Sequence, residues 1–453
     1  MRLLIKNGYV IDPAQGTNTG KSLLIEDGRI VGFTSHSESP PEGAEVIDAT
    51  GLIVAPGFID MHVHLREPGH EYKETIASGA AAAVAGGFTT ICAMPNTDPV
   101  NDNAAVTRFI IEQAERANLA DVLPIGALTK DSAGSELAEI GEMKNAGIIA
   151  VSDDGRPVPT AGMMRRAMEY ARGFDLPIID HCEDKSLARG GVMHEGHWSL
   201  VLGLRGMPAA AEEVDAIRDC ALAELTGARV HLAHVSTRGA VDAVRRAKEK
   251  GLSVTCEVAP HHWTLTDEAV AGGDGVPYDT NTKMSPPLRS HDHIQAVLDG
   301  LRDGTVDVIA SDHAPHHADE KALEFDQAPF GIIGLETSVS LAMNLVTQGV
   351  ISLERLVELY ATRPAAVLKL EDRGTFRSGA RADVTIIDPE YAWIYDAARS
   401  KSKSRNTPFH GRAMTGAALA TIVGGRVVFL HPDFNRLTVS HSRELANAAH
   451  QRS

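Results

Sequence analysis

Between residues 56 and 370, short apolar runs rich in β-branched residues alternate with longer stretches of helical periodicity. The runs span 58–64, 89–95, 122–127, 148–153, 177–181, 230–234, 253–258 and 306–312. Between them, 104–117, 161–172, 211–226 and 238–250 place apolar residues three and four apart among strong helix formers. A strand followed by a helix and another strand returns the chain in the same direction, so the sheet must be parallel. Eight such runs predict an α/β fold with a closed (β/α)8 TIM-like barrel. A doubly wound open sheet is the alternative.

The ends of the chain read differently. Residues 1–55 are short apolar runs broken by Asn7-Gly8 and Asp27-Gly28, dipeptides that favour hairpin turns. Residues 371–436 look alike. Neither stretch has enough strands for a stable sheet alone. Together they predict one small β-sandwich domain built from both termini, with the barrel occupying 56–370. Residues 437–453 form a polar tail, expected to be loosely held.

Net charge is −17, which argues against a nucleic-acid partner. It also means that an anionic ligand requires positive charge concentrated in its pocket. No apolar run approaches the ~18 residues of a membrane span, and the first residues are too short for a signal peptide, so a cytoplasmic protein without a membrane partner is expected. Cys92, Cys182, Cys220 and Cys256 lie in apolar surroundings without Cys-x-x-Cys spacing. They are expected to be small buried hydrophobes in a reducing compartment, although Cys182 adjoins a candidate ligand.

Metal-capable side chains recur at the C-terminal ends of the runs: His62 and His64, Asp153, His181, His234 and Asp312. Barrel enzymes build their active sites at that end. One histidine at a strand end is more often structural, but four with two aspartates converging on one rim suit a divalent metal, zinc being the commonest. Six ligands exceed one tetrahedral site, so two zinc ions with a bridging carboxylate are expected. Such a pair would hold a hydroxide near neutral pH and polarise a carbonyl. Hydrolysis at a carbonyl, or its reversal, is the implied reaction class.

Six segments occur in order: HVHLREPG from His62, MPNT from Met94, SDDGRPV from Ser152, HCED from His181 with GGVMHEG from Gly190, SDHAPH from Ser311, and FGIIGLET from Phe330. In these the chain resembles the amidohydrolase superfamily, and within it the dihydroorotases that use an aspartate on the fourth strand. The resemblance covers nearly the whole chain. It implies His62, His64 and Asp312 on one metal, His181 and His234 on the other, and Asp153 bridging. Many relatives bridge with a carboxylated lysine; the run 148–153 has none, and Asp154 is the second choice for the bridge.

The same resemblance implies reversible hydrolysis of (S)-dihydroorotate to N-carbamoyl-L-aspartate in de novo pyrimidine biosynthesis, through a metal-bridging hydroxide with Asp312 as proton shuttle. His64, Arg66, Asn96 and His316 would contact the substrate, the last three at its carboxylate. Arg66 points into the mouth if the strand parity of His62 and His64 continues. Backbone groups at Phe330 and Gly331 would meet the ring's amide edge. His313 and His317 are expected to be structural or solvent-facing, and 317–329 reads as a mobile lid.

Ser285 stands where such dihydroorotases often carry asparagine. Dihydropyrimidinases and allantoinases carry serine there, so a hydantoinase or allantoinase is the near alternative. Those relatives usually have the lysine bridge and lack Arg66 and Phe330-Gly331. An alternative of another class is a non-catalytic scaffold for aspartate carbamoyltransferase, which usually loses metal ligands. A homo-oligomer is expected, with an aspartate carbamoyltransferase as a candidate partner.

Overall fold

The computed structural model describes residues 2–36, 40–273 and 275–438. The eight runs form one parallel sheet in sequential order: Phe58–Val63, Phe88–Ala93, Asp121–Gly126, Ala150–Val151, Ile178–Asp180, Val230–Leu232, Val254–Val258 and Val308–Ile309. A parallel bridge between Val63 and His313 joins the last segment to the first. His64 N–H donates to the His313 carbonyl at 2.9 Å, and Ser311 N–H donates to the buried Asp60 carboxylate at 3.1 Å. The sheet therefore closes into a barrel.

Ile59, Met61, Cys92, Ile125, Ala150, Ile179, Ala233 and Val308 pack into a single buried cluster. Side chains from so many strands can meet only where the strands converge, inside the barrel. A larger cluster, including Phe88, Ile110, Met164, Val244, Val297 and Tyr360, buries the helices against the outside. Those helices start where the sequence supplies a cap. Asn103 accepts N–H groups at the start of Ala104–Ala117, Thr160 at Ala161–Gly173, and Thr237 at Arg238–Glu249.

A second sheet of nine strands draws on both ends of the chain. Its centre is the antiparallel pairing of Ile53–Pro56 with Val384–Ile394, with Thr385 opposite Ala55. Leu3, Ile5, Leu23, Ile47, Val54, Val384, Ile386 and Ile422 share its core. Asp27-Gly28 makes the expected hairpin between Thr17–Glu26 and Arg29–Thr34. Asn7-Gly8 does not. It sits inside the strand Arg2–Asp12 as a bulge, with Asn7 at φ 61°. Gly8 is required there by close approach, because a Cβ would lie 2.4 Å from Val54 Cγ2. Of the stretch expected to be a polar tail, Leu437–Thr438 pairs with Glu45–Asp48, and 439–453 lie outside the described residues. All four cysteines are buried free thiols. No helix among the described residues is long and apolar enough to cross a membrane.

Candidate metal centre and anion pocket

Five strand ends bring donor atoms to one rim. His62 is the penultimate residue of the first barrel strand and His64 follows that strand; His181 and His234 follow the fifth and sixth, and Asp312 follows the eighth. The carboxylate among them is Asp154. Its Oδ1 lies 3.5 Å from His62 Nε2, from His181 Nδ1 and from His234 Nε2, while its Oδ2 lies 3.5 Å from His64 Nε2. Asp312 Oδ1 lies 3.3 Å from His64 Nε2 and 3.6 Å from His62 Nε2. His181 Nδ1 and His234 Nε2 are 2.9 Å apart.

Asp153, expected to bridge, is turned away. Its carboxylate accepts Leu128 N–H at 2.8 Å and Thr129 N–H at 3.1 Å, and pairs with the Thr129 hydroxyl. The fourth strand ends at Val151, so strict alternation no longer governs 152–154. Asp153 closes the neighbouring loop, and Asp154 faces the histidines.

The donor set fits divalent cations. His62 donates from Nδ1 to Glu257 at 2.6 Å, His64 from Nδ1 to Asn96 at 2.8 Å, and His181 from Nε2 to Glu183 at 3.0 Å. Each bond fixes a tautomer and leaves the other nitrogen's lone pair facing the cluster. His62 Nε2 and Asp154 Oδ1 are buried without any hydrogen-bond partner. Lone pairs converging in a buried space repel one another unless a cation lies between them. Three overlapping sets, His62–His64–Asp154, His62–His234–Asp312 and Asp154–His181–His234, each hold their donor atoms within 4.8 Å of one another. Burial would raise the Asp154 and Asp312 carboxyls, but the surrounding histidines hold both well below the usual range.

The cluster forms the floor of a cavity of about 490 Å³ whose walls include Arg66, Asn96, Ser285, His316 and Phe330. Arg66 does not arrive by strand parity; the strand ends at Val63, and a left-handed backbone at φ 63° turns the residue inward. His234 and Asp312 share such positive angles, at 31° and 47°. Three non-glycine residues in this region cost about 1–3 kcal/mol each, a strain typical of functional sites. Arg66 Nε donates to the Pro315 carbonyl at 3.1 Å. His316 Nε2 lies 2.8 Å from the Phe330 carbonyl and so carries its proton; Arg66 Nη2, 3.4 Å from the same nitrogen, packs beside it. Burial lowers Arg66 to about 10, leaving it cationic at neutral pH. Burial, then Arg66, keeps the His316 imidazole neutral.

Gly331 and the segment 317–329 are both held by the protein itself. Gly331 is not part of the cavity wall: its N–H donates to Lys283 O at 2.9 Å, and its carbonyl accepts from Asn406 and Lys321. The segment 317–329 is docked on the rim. It contains the helix Ala318–Lys321, buries Phe325 against Val192, Met193 and Val270, and is tied by Lys283 Nζ to the carbonyls of Phe325 and Asp326. Of its apolar residues, Phe325 and Ala328 are buried, while Leu323 is exposed. Of the two spare histidines, His313 is buried against Glu74 and His317 caps the short helix.

Sequence reasoning missed Glu257, Glu183 and Asn406. Glu257 left a signal, because a lone carboxylate in the apolar strand Val254–Val258 must find a partner when buried. Asn406 left none, since it lies in a loop remote in sequence from everything it touches.

A closed (β/α)8 barrel carrying four histidines and two carboxylates at its C-terminal rim defines a metal-dependent cyclic amidohydrolase. The family model described as Dihydro-orotase-like matches residues 51–240. The dihydroorotase of Solibacter usitatus is 57% identical over 426 residues, covering 94% of this chain and 97% of that protein. That of Pelobacter propionicus is 55% identical, covering 95% and 100%. Among solved structures, an L-hydantoinase (dihydropyrimidinase) from Arthrobacter aurescens superposes with a TM-score of 0.83 at 25% identity, over 94% of this chain and 95% of that one. The chain belongs to the dihydroorotase family.

Proposed function

We propose that this protein interconverts (S)-dihydroorotate and N-carbamoyl-L-aspartate, a step of de novo pyrimidine biosynthesis, using two zinc ions. His62, His64 and Asp312 would hold one ion, His181 and His234 the other, with Asp154 between them. One observation carries the reading: an anion pocket opens into the same cavity as the donor cluster. Arg66, Asn96 and His316 stand beside His64 and Asp312 in an otherwise acidic chain. A neutral cyclic ureide has no use for a half-buried guanidinium; a ring carrying a carboxylate does.

When bound, the metal pair supplies a water acidic enough to ionise near neutral pH and a Lewis acid for the ring carbonyl. The chain's own groups do the rest. Arg66, at the cavity wall, grips the carboxylate with Asn96 and fixes the ring's orientation. Asp312, ionised and within reach of both donors and cavity, takes the proton released by water as its oxygen bonds to the carbonyl carbon. It returns that proton to the ring nitrogen as the carbon–nitrogen bond breaks. Ring closure runs the same steps backwards. Ser285 at the cavity wall offers the ring side a hydroxyl in place of an amide. A cytoplasmic location agrees with four free thiols.

The test is a direct assay of dihydroorotate hydrolysis, before and after chelation and on zinc readdition. Activity lost with chelator and restored by zinc is expected, with hydantoin turned over far more slowly. Equal turnover of hydantoin and dihydroorotate would overturn the substrate assignment.

A further inference from the structure

Two segments that do not belong to one element contribute to the wall of the anion pocket: 314–316, which follows the eighth strand, and 329–330, which runs on into 331–333. A residue from the far end of the chain joins them. Asn406 Nδ2 donates to the carbonyls of Ala314 and Gly331, both at 2.9 Å. Its Oδ1 accepts His316 N–H at 3.0 Å, and its own carbonyl accepts Ile333 N–H at 3.0 Å. The side chain is 3% exposed, so no water competes for these bonds. The neighbouring residues are anchored to the same rim. Ser402 Oγ and Lys403 N–H reach the buried Glu74, which also takes His313 Nε2, and Ser404 Oγ donates to the Lys73 carbonyl at 2.8 Å.

We infer that Asn406 is a positioning residue that sets the geometry of the carboxylate pocket. The chain of contacts is short. Asn406 fixes the backbone of 314–316; the Pro315 carbonyl within it holds Arg66 Nε, and His316 within it holds the Phe330 carbonyl. Asn406 touches neither the metal donors nor the cavity, so its effect falls on the anion and not on the metal centre. An asparagine is required because the junction presents two carbonyls and one N–H. Only a side-chain amide offers two donors and an acceptor in that space.

The inference rests on Arg66 and Asn96 binding a carboxylate beside His316, and its test separates the two claims. Orotate, which keeps the ring and its carboxylate, is titrated calorimetrically into zinc-loaded wild type and Asn406→Ala, alongside dihydroorotate kinetics and zinc retention against a chelator. Wild type that neither binds orotate nor hydrolyses dihydroorotate would sink the substrate reading itself. With wild type active, Asn406→Ala is expected to weaken orotate and raise KM by about tenfold, with kcat and zinc retention within about twofold. Unchanged orotate affinity, or losses of zinc retention and kcat in step with it, would overturn the positioning role. If the alanine variant does not fold, Asn406→Asp keeps the acceptor for His316 N–H while losing the donors, and the same outcomes decide.

Discussion

His62 Nδ1 lies 2.6 Å from Glu257 Oε1, and both side chains are shut off from solvent inside the barrel. Glu257 also takes His231 Nε2 at 3.2 Å, so one carboxylate orients two imidazoles. Although burial opposes ionisation, His62 and His231 hold Glu257 down at about 2. Glu257→Gln is expected to weaken zinc retention about 10- to 100-fold while the fold persists. Competition with a graded chelator measures this; unchanged retention would mean that His62 is oriented by something else.

Asp154 and Asp153 are adjacent but should fail differently. Asp154→Asn removes the carboxylate facing all four histidines, and zinc retention and turnover should fall about a hundredfold or more. Asp153→Ala strands two buried N–H groups, at Leu128 and Thr129, and should cost about 1–3 kcal/mol of stability each way a donor is orphaned. Its zinc retention should survive. Metal analysis and thermal melts of both variants check the contrast, and the reverse pattern would return Asp153 to the metal centre.

Arg66→Met keeps length and apolar bulk but removes the fork from the pocket. Dihydroorotate kcat/KM should drop about a hundredfold or more, equivalent to about 3 kcal/mol, with zinc content unchanged. A drop confined to twofold would place the carboxylate elsewhere.

Lys321 supplies a pH dependence of stability. It is buried, donates to the carbonyls of Pro329 and Gly331, and is pushed down to about 7 by burial and then by Lys283. The unfolded chain, with this amine near 10.5, binds more protons than the folded one between about pH 7 and 10.5. Folding therefore bears the full penalty below about pH 7 and sheds it as pH rises through that window, by up to about 1.4 kcal/mol per pH unit. Urea midpoints of wild type relative to Lys321→Met should improve from pH 7 to pH 9. A flat difference would show that the folded amine titrates normally.

Much of this architecture was legible because local chemistry was enough. Each of the eight runs became a barrel strand near its expected place, since β-branched apolar runs between capped helices have few other ways to bury themselves. The helix 104–117 matched its expected bounds because Asn103 and Asn118 mark both ends. The four histidines and Asp312 were found for a related reason: strand order alone assigns their positions to one rim.

What sequence determined, then, was the barrel, the joint sheet of the termini and the kind of chemistry the rim could hold, because these follow from periodicity and residue type. Tertiary structure alone decided which of two adjacent aspartates faces the histidines, since the fourth strand stops at Val151 and alternation stops with it. It likewise decided that Arg66 enters the cavity through a left-handed turn, and that Glu257 and Asn406 hold the site from behind. Those choices depend on hydrogen-bond partners distant along the chain, as Asn406 is from His316, and no local pattern encodes such distances.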